Sequence, residues 1–167
     1  MDMKDKLPEF FFTKEEMVKD LLAITPIKPE DVVLDAGSGN LVWFKNLPCL
    51  PENRRECEIE RGCDFYEWKE EVDWVVGNPP FRDKNGKNQI PSWIEKSSTI
   101  ARKGFAFLIN HKVFNCLTPR GLEKLKERGF YLQHIRIVSD KRWFGRYYYL
   151  IWGRENKNFV SWELKSY

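Results

Sequence analysis

The segment VDWVVGNPPF, residues 72–81, joins a predicted strand to an unusual turn. Its first five positions are mostly apolar, which is typical of a strand that runs into the interior of a domain. Proline has no N–H to donate, so Pro79 and Pro80 fix the backbone and leave carbonyl oxygens available as acceptors. We expect the side-chain oxygen of Asn78 and the carbonyl oxygen of Pro79 to accept two hydrogen bonds from one planar amino group. Phe81 would then lie against the ring that carries this group, whereas a plain loop start is the alternative for the turn taken alone.

A second turn of the same kind follows another short predicted strand, in VLDAGSGN at residues 33–40. Gly37 and Gly39 follow the acidic residue Asp35, and glycine lets a ligand approach the backbone closely. The third glycine of a dinucleotide fingerprint would fall at Val42, so a nicotinamide-dinucleotide site is disfavoured.

An acidic residue is expected near the end of the next predicted strand, at Glu58 or Glu60. A carboxylate in that place can accept hydrogen bonds from both ribose hydroxyls of a nucleotide in Rossmann-type folds. Either residue alone is equally well explained as a surface glutamate. Asp64 and Phe65 follow, a pair suited to holding an adenine by its amine and its ring face.

The order of predicted elements indicates an α/β fold in one domain, residues 1–167. Strands alternate with helices, which favours a mostly parallel sheet, and the last two predicted strands, 131–138 and 147–153, form an antiparallel hairpin without a helix between them. In open sheets of this type ligands bind at the carboxyl ends of the strands, so both turns are expected to face one crevice. The first helix is expected to begin with Thr13 as its N-cap and Glu16 completing a capping box.

Charge divides the chain into two unlike parts. Residues 1–81 hold 10 Lys and Arg against 18 Asp and Glu, a balance of −8, and residues 82–167 hold 18 against 7, a balance of +11. A basic face suits a phosphate backbone, although solvated surface lysine explains the charge alone equally well.

Other features of the sequence argue against a metal site and against a membrane protein. The four cysteines show no CxxC spacing, so we expect reduced thiols and no metal site. No apolar run is long enough for a membrane span, and the first ten residues are too charged for a signal peptide. An intracellular, cytoplasmic protein is expected.

Four segments together resemble a known family: FFT at 11–13, VLDAGSGN at 33–40, CEIERGCDF at 57–65 and GNPPF at 77–81. Their order and spacing are similar to those of S-adenosylmethionine-dependent methyltransferases that modify amino groups, DNA N6-adenine methyltransferases in particular. The resemblance spans residues 10–153 and implies a single Rossmann-like class I methyltransferase domain with S-adenosylmethionine as its cofactor.

The resemblance also implies roles for individual residues. The catalytic tetrapeptide would be Asn78, Pro79, Pro80 and Phe81. Cofactor-binding residues would be Phe12, Thr13, Asp35, Gly37, Gly39, Glu58 (with Glu60 as its rival), Asp64 and Phe65. The basic half of the chain, rather than the resemblance, supplies the candidates for nucleic-acid contact. These are Arg82, Lys84, Lys87, Lys141, Arg142 and Arg146 for phosphates, and Trp143 and Phe144 for the base pocket, although edge packing explains Trp143 equally well.

Two positions depart from the family pattern. Leu41 replaces the usual third glycine of the loop, which is expected to alter cofactor affinity. Residues 60–73 are too few for a full helix–strand unit, so the middle of the sheet is expected to be trimmed.

The expected activity is methyl transfer to an exocyclic amine, foremost adenine N6 in DNA, with the target nucleotide flipped out or unpaired. The alternatives are a base amine in RNA, a glutamine side chain in a protein, or a non-catalytic scaffold that binds nucleic acid. No separate target-recognition domain is predicted, which favours weak sequence preference or a protein partner for target recognition.

Overall fold

The computed structural model describes residues 12–143, 145–157 and 160–167 of the 167-residue chain. The proposed base-pocket residue Phe144 lies outside the described residues. The described strands form one sheet of seven strands. In chain order they are β1 (Val33–Ala36), β2 (Arg54–Cys57), β3 (Val72–Gly77), β4 (Ala101–Asn110), β5 (Tyr131–Ser139), β6 (Tyr147–Gly153) and β7 (Ser161–Ser166).

The order of strands across the sheet is β2-β1-β3-β4-β6-β5-β7. Strands β2, β1, β3 and β4 are joined in parallel, whereas β6 is antiparallel to both of its neighbours, β4 and β5. The prediction of a mostly parallel sheet with an antiparallel C-terminal hairpin is therefore confirmed.

Helices cover both faces of the sheet and bury its apolar side chains in two clusters. The described helices are α1 (Glu15–Ile24), α2 (Val42–Asn46), α3 (Ile90–Ile100), α4 (Val113–Cys116) and α5 (Pro119–Glu127). Successive residues of a strand point to opposite faces, so Val33 packs in the cluster that contains α1 and α2, and Leu34 in the cluster that contains α3 and α5. Within the described part of the chain, no helix combines the length and the apolar character that a bilayer span requires.

The sheet is trimmed between β2 and β3, as the sequence predicts. Residues 58–71 are all described, and their helical structure consists of two short 3₁₀ helices, Ile59–Arg61 and Phe65–Glu67, with no strand. Strand β2 consequently forms one edge of the sheet. Residues 58–71, called the acidic segment below, thus lie beside the β1 turn rather than under a further strand.

The start of α1 corrects one prediction. The N-cap is Lys14, which makes no side-chain capping hydrogen bond, and the helix begins at Glu15. The predicted capping box of Thr13 and Glu16 is therefore wrong. Thr13 is buried, at 5% exposure, and its hydroxyl oxygen accepts a hydrogen bond from the Asn78 side chain instead of capping the helix.

Strand β7 was not expected from the sequence. It pairs in parallel with β5 and forms the second edge of the sheet. Its segment SWELKS mixes charged and polar residues with few apolar ones, and such composition is common on edge strands, where it discourages pairing with other chains. The hydrophobic alternation that identifies half-buried strands is therefore weak here.

Candidate active site

The two turns singled out in the sequence meet where β1 and β3 end. Gly77, the last residue of β3, has φ 145°, and a Cβ atom on it would lie 2.7 Å from the carbonyl oxygen of Ala36. The ring of Pro80 comes within 3.8 Å of the place that a Cβ on Gly37 would take. The absence of a side chain at Gly77 allows the two strand ends to touch. The two turns therefore touch, as their places at the ends of neighbouring strands predict.

The glycine turn after β1 is covered by aromatic rings. Gly37 and Gly39 have φ 72° and 44°, a left-handed conformation that side chains with a Cβ rarely adopt. A Cβ on Gly37 would meet the Trp93 ring at 3.5 Å, and one on Gly39 would meet the Phe12 ring at 3.2 Å. Both glycines are therefore needed for conformation, and Phe12 lies against the turn to which the sequence assigned it.

Leu41 follows this turn and has φ 65° and ψ 15°, the left-handed helical region. Among the described residues no other non-glycine residue has a positive φ. Leu41 occupies the place at which the family pattern has glycine, and it starts α2 as the N-cap. The backbone of Leu41 thus has a conformation that glycine adopts more readily than leucine.

Asp35 of β1 is fully buried. Its Oδ2 accepts a hydrogen bond of 2.9 Å from the backbone N–H of Phe44, whereas its Oδ1 accepts none from the described part of the chain. Burial, helped by the nearby carboxylates of Glu56 and Glu58, raises the pKa of Asp35 to about 8. The carboxyl group is thus mostly protonated at neutral pH and can donate a hydrogen bond.

The structure separates the two candidate ribose-binding residues. Glu58 follows β2 directly, and its Oε2 accepts a hydrogen bond of 2.7 Å from the backbone N–H of Gly39. The Glu60 side chain is exposed, and its backbone N–H donates to Glu58 Oε1 at 3.4 Å. Glu58 therefore contacts the glycine turn, and Glu60 lies on the outer side of the segment.

Arg61 and Glu56 hold the glycine turn from the side of β2, and sequence reasoning missed both. The Arg61 guanidinium donates to the carbonyl oxygen of Gly39 at 2.9 Å and to Glu56 Oε2 at 2.8 Å. The Ser38 hydroxyl donates to the same Glu56 oxygen at 2.6 Å. The hydrogen bond from Arg61 keeps the pKa of Glu56 below its usual value. The side chains of Arg61 and Glu56 thus hold the glycine turn in place.

Asp64 and Phe65 lie in the next turn of the acidic segment. Asp64 caps the second 3₁₀ helix, because its Oδ1 accepts a 2.9 Å hydrogen bond from the backbone N–H of Tyr66. The Phe65 ring is 3% exposed and packs on Trp93, with 4.4 Å between ring centroids. Phe65 thus packs against Trp93, the residue whose ring covers Gly37, and the Phe65 ring itself is part of the core.

The Asn-Pro-Pro-Phe turn begins beside Thr13. The Asn78 side-chain amide donates to Thr13 Oγ1 at 3.5 Å, so residues 12 and 13 touch both turns. Pro79 is buried and Pro80 is exposed. The turn therefore runs from the sheet interior to the surface within two residues.

Three aromatic rings extend outward from this turn. Phe81 is half-buried, and its ring lies 5.8 Å from the ring of Tyr147, which in turn lies 4.5 Å from the ring of Trp143. Tyr147 is the first residue of β6, where the sequence predicts ordinary strand core. The contact brings the segment before β6 against the tetrapeptide, so Trp143 lies in the same row of rings as Phe81.

The proposed phosphate-binding residues differ in their surroundings. Arg82, Lys84 and Lys87 are exposed in the loop after Phe81, and Lys141 and Arg146 are exposed in the segment before β6. Arg142 is different, since its guanidinium pairs at 3.0 Å with Asp140, a carboxylate that is fully buried. The same carboxylate pairs with Lys14 at 3.3 Å. Asp140 therefore joins its own loop to the start of α1, and Arg142 is the second cation on that carboxylate.

Comparisons with known proteins identify the fold. No protein-family model matches the chain, and no curated protein matches its sequence. Solved structures do match: magnesium protoporphyrin IX methyltransferase from Synechocystis PCC 6803 with bound S-adenosylmethionine is 12% identical, with a TM-score of 0.64 over 91% of each chain.

The names of two further matching structures refer to an RNA methyltransferase and to a restriction enzyme. A putative RNA methyltransferase from Pyrococcus horikoshii is 18% identical, with a TM-score of 0.54 over 85% of each chain. The M protein of the type I restriction enzyme EcoKI is 14% identical, with a TM-score of 0.60 over 92% of this chain and 46% of that one. The chain thus has the Rossmann-like fold of class I methyltransferases.

Proposed function

We propose that this protein binds S-adenosylmethionine and methylates an exocyclic amine, foremost adenine N6 in DNA. The observation that carries the proposal is the meeting of the glycine turn after β1 with the Asn-Pro-Pro-Phe turn after β3, through Gly77 on Ala36 and Pro80 on Gly37. A fold alone hosts many activities, so we infer the function from this site. In this proposal the glycine turn holds the cofactor, and the neighbouring tetrapeptide holds the acceptor amino group.

The residues of the glycine turn fit the cofactor. Gly37 and Gly39 keep their left-handed backbone beneath the Trp93 and Phe12 rings, and Glu58 presents a half-exposed carboxylate beside Gly39. Glu58 would hold the ribose hydroxyls, with Phe12 and Thr13 toward the methionine part and Asp64 toward the adenine, whereas the Phe65 ring is buried against Trp93. Asp35 would support the turn from below. When bound, S-adenosylmethionine supplies an electrophilic methyl group on a sulfonium sulfur.

The tetrapeptide would hold the acceptor amine. The side-chain oxygen of Asn78 and the carbonyl oxygen of Pro79 would each accept a hydrogen bond from one N–H group of the amine. These two hydrogen bonds favour a pyramidal nitrogen with an available lone pair. Pro80 fixes the backbone without offering a competing N–H, and Phe81 lies against the ring that carries the amine. Because the chemistry needs orientation above all, the chain contributes position rather than a nucleophile. The proton released from nitrogen passes to solvent.

The surface around the tetrapeptide favours a nucleic acid as substrate. The row of Phe81, Tyr147 and Trp143 offers ring faces for a base that has left its stack, which costs a few kcal/mol. Phosphate contacts from the exposed basic residues would offset that cost. The proposed contacts are Arg82, Lys84, Lys87, Lys141 and Arg146, with Arg142 contributing charge from its pair with Asp140.

A base amine in RNA is the second candidate. The matched putative RNA methyltransferase from Pyrococcus horikoshii shares the fold over 85% of each chain. The described residues of the proposed site include no feature that distinguishes ribose from deoxyribose in the substrate. Target recognition in either case rests on the loop after Phe81 and the segment before β6, which favours short sequence preference or help from a partner protein.

Transfer of a tritiated methyl group from the cofactor to duplex DNA, single-stranded DNA, RNA and peptides tests the proposal. We expect label in DNA at adenine N6, identified by mass spectrometry of nucleosides. Asn78→Ala should lower transfer by about 100-fold or more, since one of two oriented acceptors is lost, while the Kd for the cofactor changes little. Label in RNA alone or in peptide alone would move the assignment to that acceptor.

Asn85→Ala is the matched control for Asn78→Ala. Asn85 is exposed in the loop that follows the tetrapeptide, and it should tolerate the same change without loss of transfer. Full transfer by Asn78→Ala would refute the role of Asn78. Cofactor binding without transfer to any acceptor would indicate the non-catalytic scaffold.

A further inference from the structure

One cysteine precedes the acidic segment and another lies within it, and the two nearly touch. The Sγ atoms of Cys57 and Cys63 are 2.6 Å apart, and the Cys57 thiol donates to the carbonyl oxygen of Cys63 at 3.1 Å. A disulfide requires a separation of about 2.05 Å, so the sulfurs need to approach by roughly half an ångström. Both are free thiols in the structure.

The backbone already closes the loop that such a bond would span. The N–H of Cys63 donates to the carbonyl oxygen of Glu58 at 3.1 Å, and Gly62 has φ 84°, which turns the chain back toward β2. Within this loop Glu58 and Arg61 each contact Gly39 of the glycine turn. A covalent link between the two sulfurs would fasten the segment that carries both contacts.

We propose that Cys57 and Cys63 form a reversible intrachain disulfide, a modification site that fastens the acidic segment to the end of β2. The oxidant is of the glutathione disulfide class. The half-exposed Cys63 thiolate attacks one sulfur of the oxidant, and one glutathione leaves as a thiolate that takes up the proton released by Cys63. The Cys57 thiolate then attacks Cys63 in the mixed disulfide, and the second glutathione leaves in the same way.

Burial supports this order of events. Cys57 is 1% exposed, and burial raises the pKa of its thiol. Cys57 therefore reacts slowly with an external oxidant. Its attack on the mixed disulfide is intramolecular, and the short distance between the sulfurs compensates for its low thiolate fraction. A thiol reductant reverses both steps.

The bond should preserve the contacts made by the segment. Because the sulfurs already lie close to bonding distance, closure leaves Glu58 and Arg61 beside Gly39 and removes other conformations of the segment. A consequence for the cofactor follows, and it rests on the proposed function. The oxidised protein binds S-adenosylmethionine several-fold more tightly, since the ribose-binding segment is pre-organised.

Peptide mapping of the native protein tests the bond without reference to the cofactor. Oxidation with glutathione disulfide, alkylation of free thiols and digestion with trypsin should yield peptides 56–61 and 62–69 linked to each other, because cleavage after Arg61 separates the two cysteines. Dithiothreitol should separate the pair. Two alkylated thiols at these positions, or linkage of either one to Cys49, would overturn the proposal.

Variants supply the matched control. Cys63→Ser should abolish the linked peptides, whereas Cys49→Ser, a change at a buried cysteine outside the segment, should retain them. Circular dichroism reports whether each variant folds. If a variant does not fold, the peptide map of the wild-type protein alone decides whether the disulfide forms. Loss of the link in Cys49→Ser would overturn the assignment.

Cofactor titration of the reduced and oxidised wild-type protein by calorimetry tests the consequence. A lower Kd in the oxidised form supports pre-organisation, and an equal or higher Kd overturns it. Absence of heat in both forms refutes the proposed function, while the peptide map continues to decide whether the disulfide forms.

Discussion

Leu41 holds a backbone conformation that suits glycine better than leucine. Its φ of 65° costs a residue with a Cβ about 1–2 kcal/mol. Replacement by glycine removes that strain but increases the entropy of the unfolded chain by about 0.5–1 kcal/mol and removes some side-chain packing. We expect Leu41→Gly to leave the free energy of unfolding in urea unchanged or raised by up to about 1 kcal/mol.

Val42→Gly is the comparison for this change. Val42 is equally half-buried and is the first residue of α2 in an ordinary helical conformation, so glycine there should cost about 1 kcal/mol or more. If both variants lose the same stability in urea unfolding, the left-handed backbone of Leu41 is not strained.

Asp35 makes stability depend on pH. Its pKa in the folded protein is about 8, above the value of about 3.9 in the unfolded chain, so the folded state binds the extra proton between these limits. Stability from this residue is complete below about pH 4 and falls as pH rises toward 8. Asp35→Asn removes this titration. As pH rises, the free energy of unfolding of the variant should therefore increase relative to that of the wild type, by at most on the order of 1 kcal/mol per pH unit.

Urea unfolding of wild type and Asp35→Asn at pH 5 and at pH 8 measures this difference. The variant should be relatively more stable at pH 8. A difference between the two proteins that is the same at both pH values would show that Asp35 is ionised in the folded protein.

Residues of the site were predictable where the motif is contiguous. Gly37, Gly39 and Asn78 stand in short segments whose backbone requirements are visible in the residue types. Arg61 and Tyr147 were missed, because their contacts depend on how β2 and β6 are placed in the sheet. An arginine in an acidic segment and an aromatic residue at a strand start are both common in proteins without any role at a site.

At the scale of elements, periodicity identified the buried helices and strands and failed at the chain's edges. Strand β3 and helix α3 bury continuous or periodic apolar faces, so their sequence predicts them. The capping box at Thr13 was wrong, because the helix begins one residue later than predicted, at Glu15, and Lys14 takes the N-cap position. Strand β7 lies at an edge, where pairing with β5 rather than an apolar face determines the structure.

Glu163 of β7 should prove important for the attachment of this edge strand. Arg136 of β5 is 8% exposed, and its guanidinium pairs with Glu163 and donates to the carbonyl oxygen of Asp20 at 3.1 Å. Glu163→Gln leaves a buried cation without its carboxylate, so the free energy of unfolding should fall by about 1–2 kcal/mol.

Glu155→Gln provides the control for Glu163→Gln in urea unfolding. Glu155 is an exposed carboxylate whose pairing with Lys157 is 3.7 Å long, and its loss should cost less than about 0.5 kcal/mol. Equal effects of the two changes would mean that β7 is held by its backbone pairing alone.

At the scale of the whole molecule, the uneven distribution of charge predicts the salt dependence of nucleic-acid binding. Residues 82–167 carry a balance of +11, and their exposed cations flank the tetrapeptide in the loop after Phe81 and in the segment before β6. Each phosphate contact releases counterions, so the logarithm of the binding constant falls linearly with the logarithm of salt concentration, by about 0.9 per contact in duplex DNA. The slope therefore counts the cations that reach the backbone.

Lys84→Ala combined with Lys87→Ala should reduce the magnitude of that slope by about 1.8 for duplex DNA, because two phosphate contacts are lost. The control is Lys28→Ala combined with Lys69→Ala, which removes the same charge from two exposed positions in the acidic part of the chain. Fluorescence anisotropy over a range of salt concentrations measures both. If the two double variants lower the slope equally, net charge rather than the loop after Phe81 governs binding, and the proposed nucleic-acid surface is wrong.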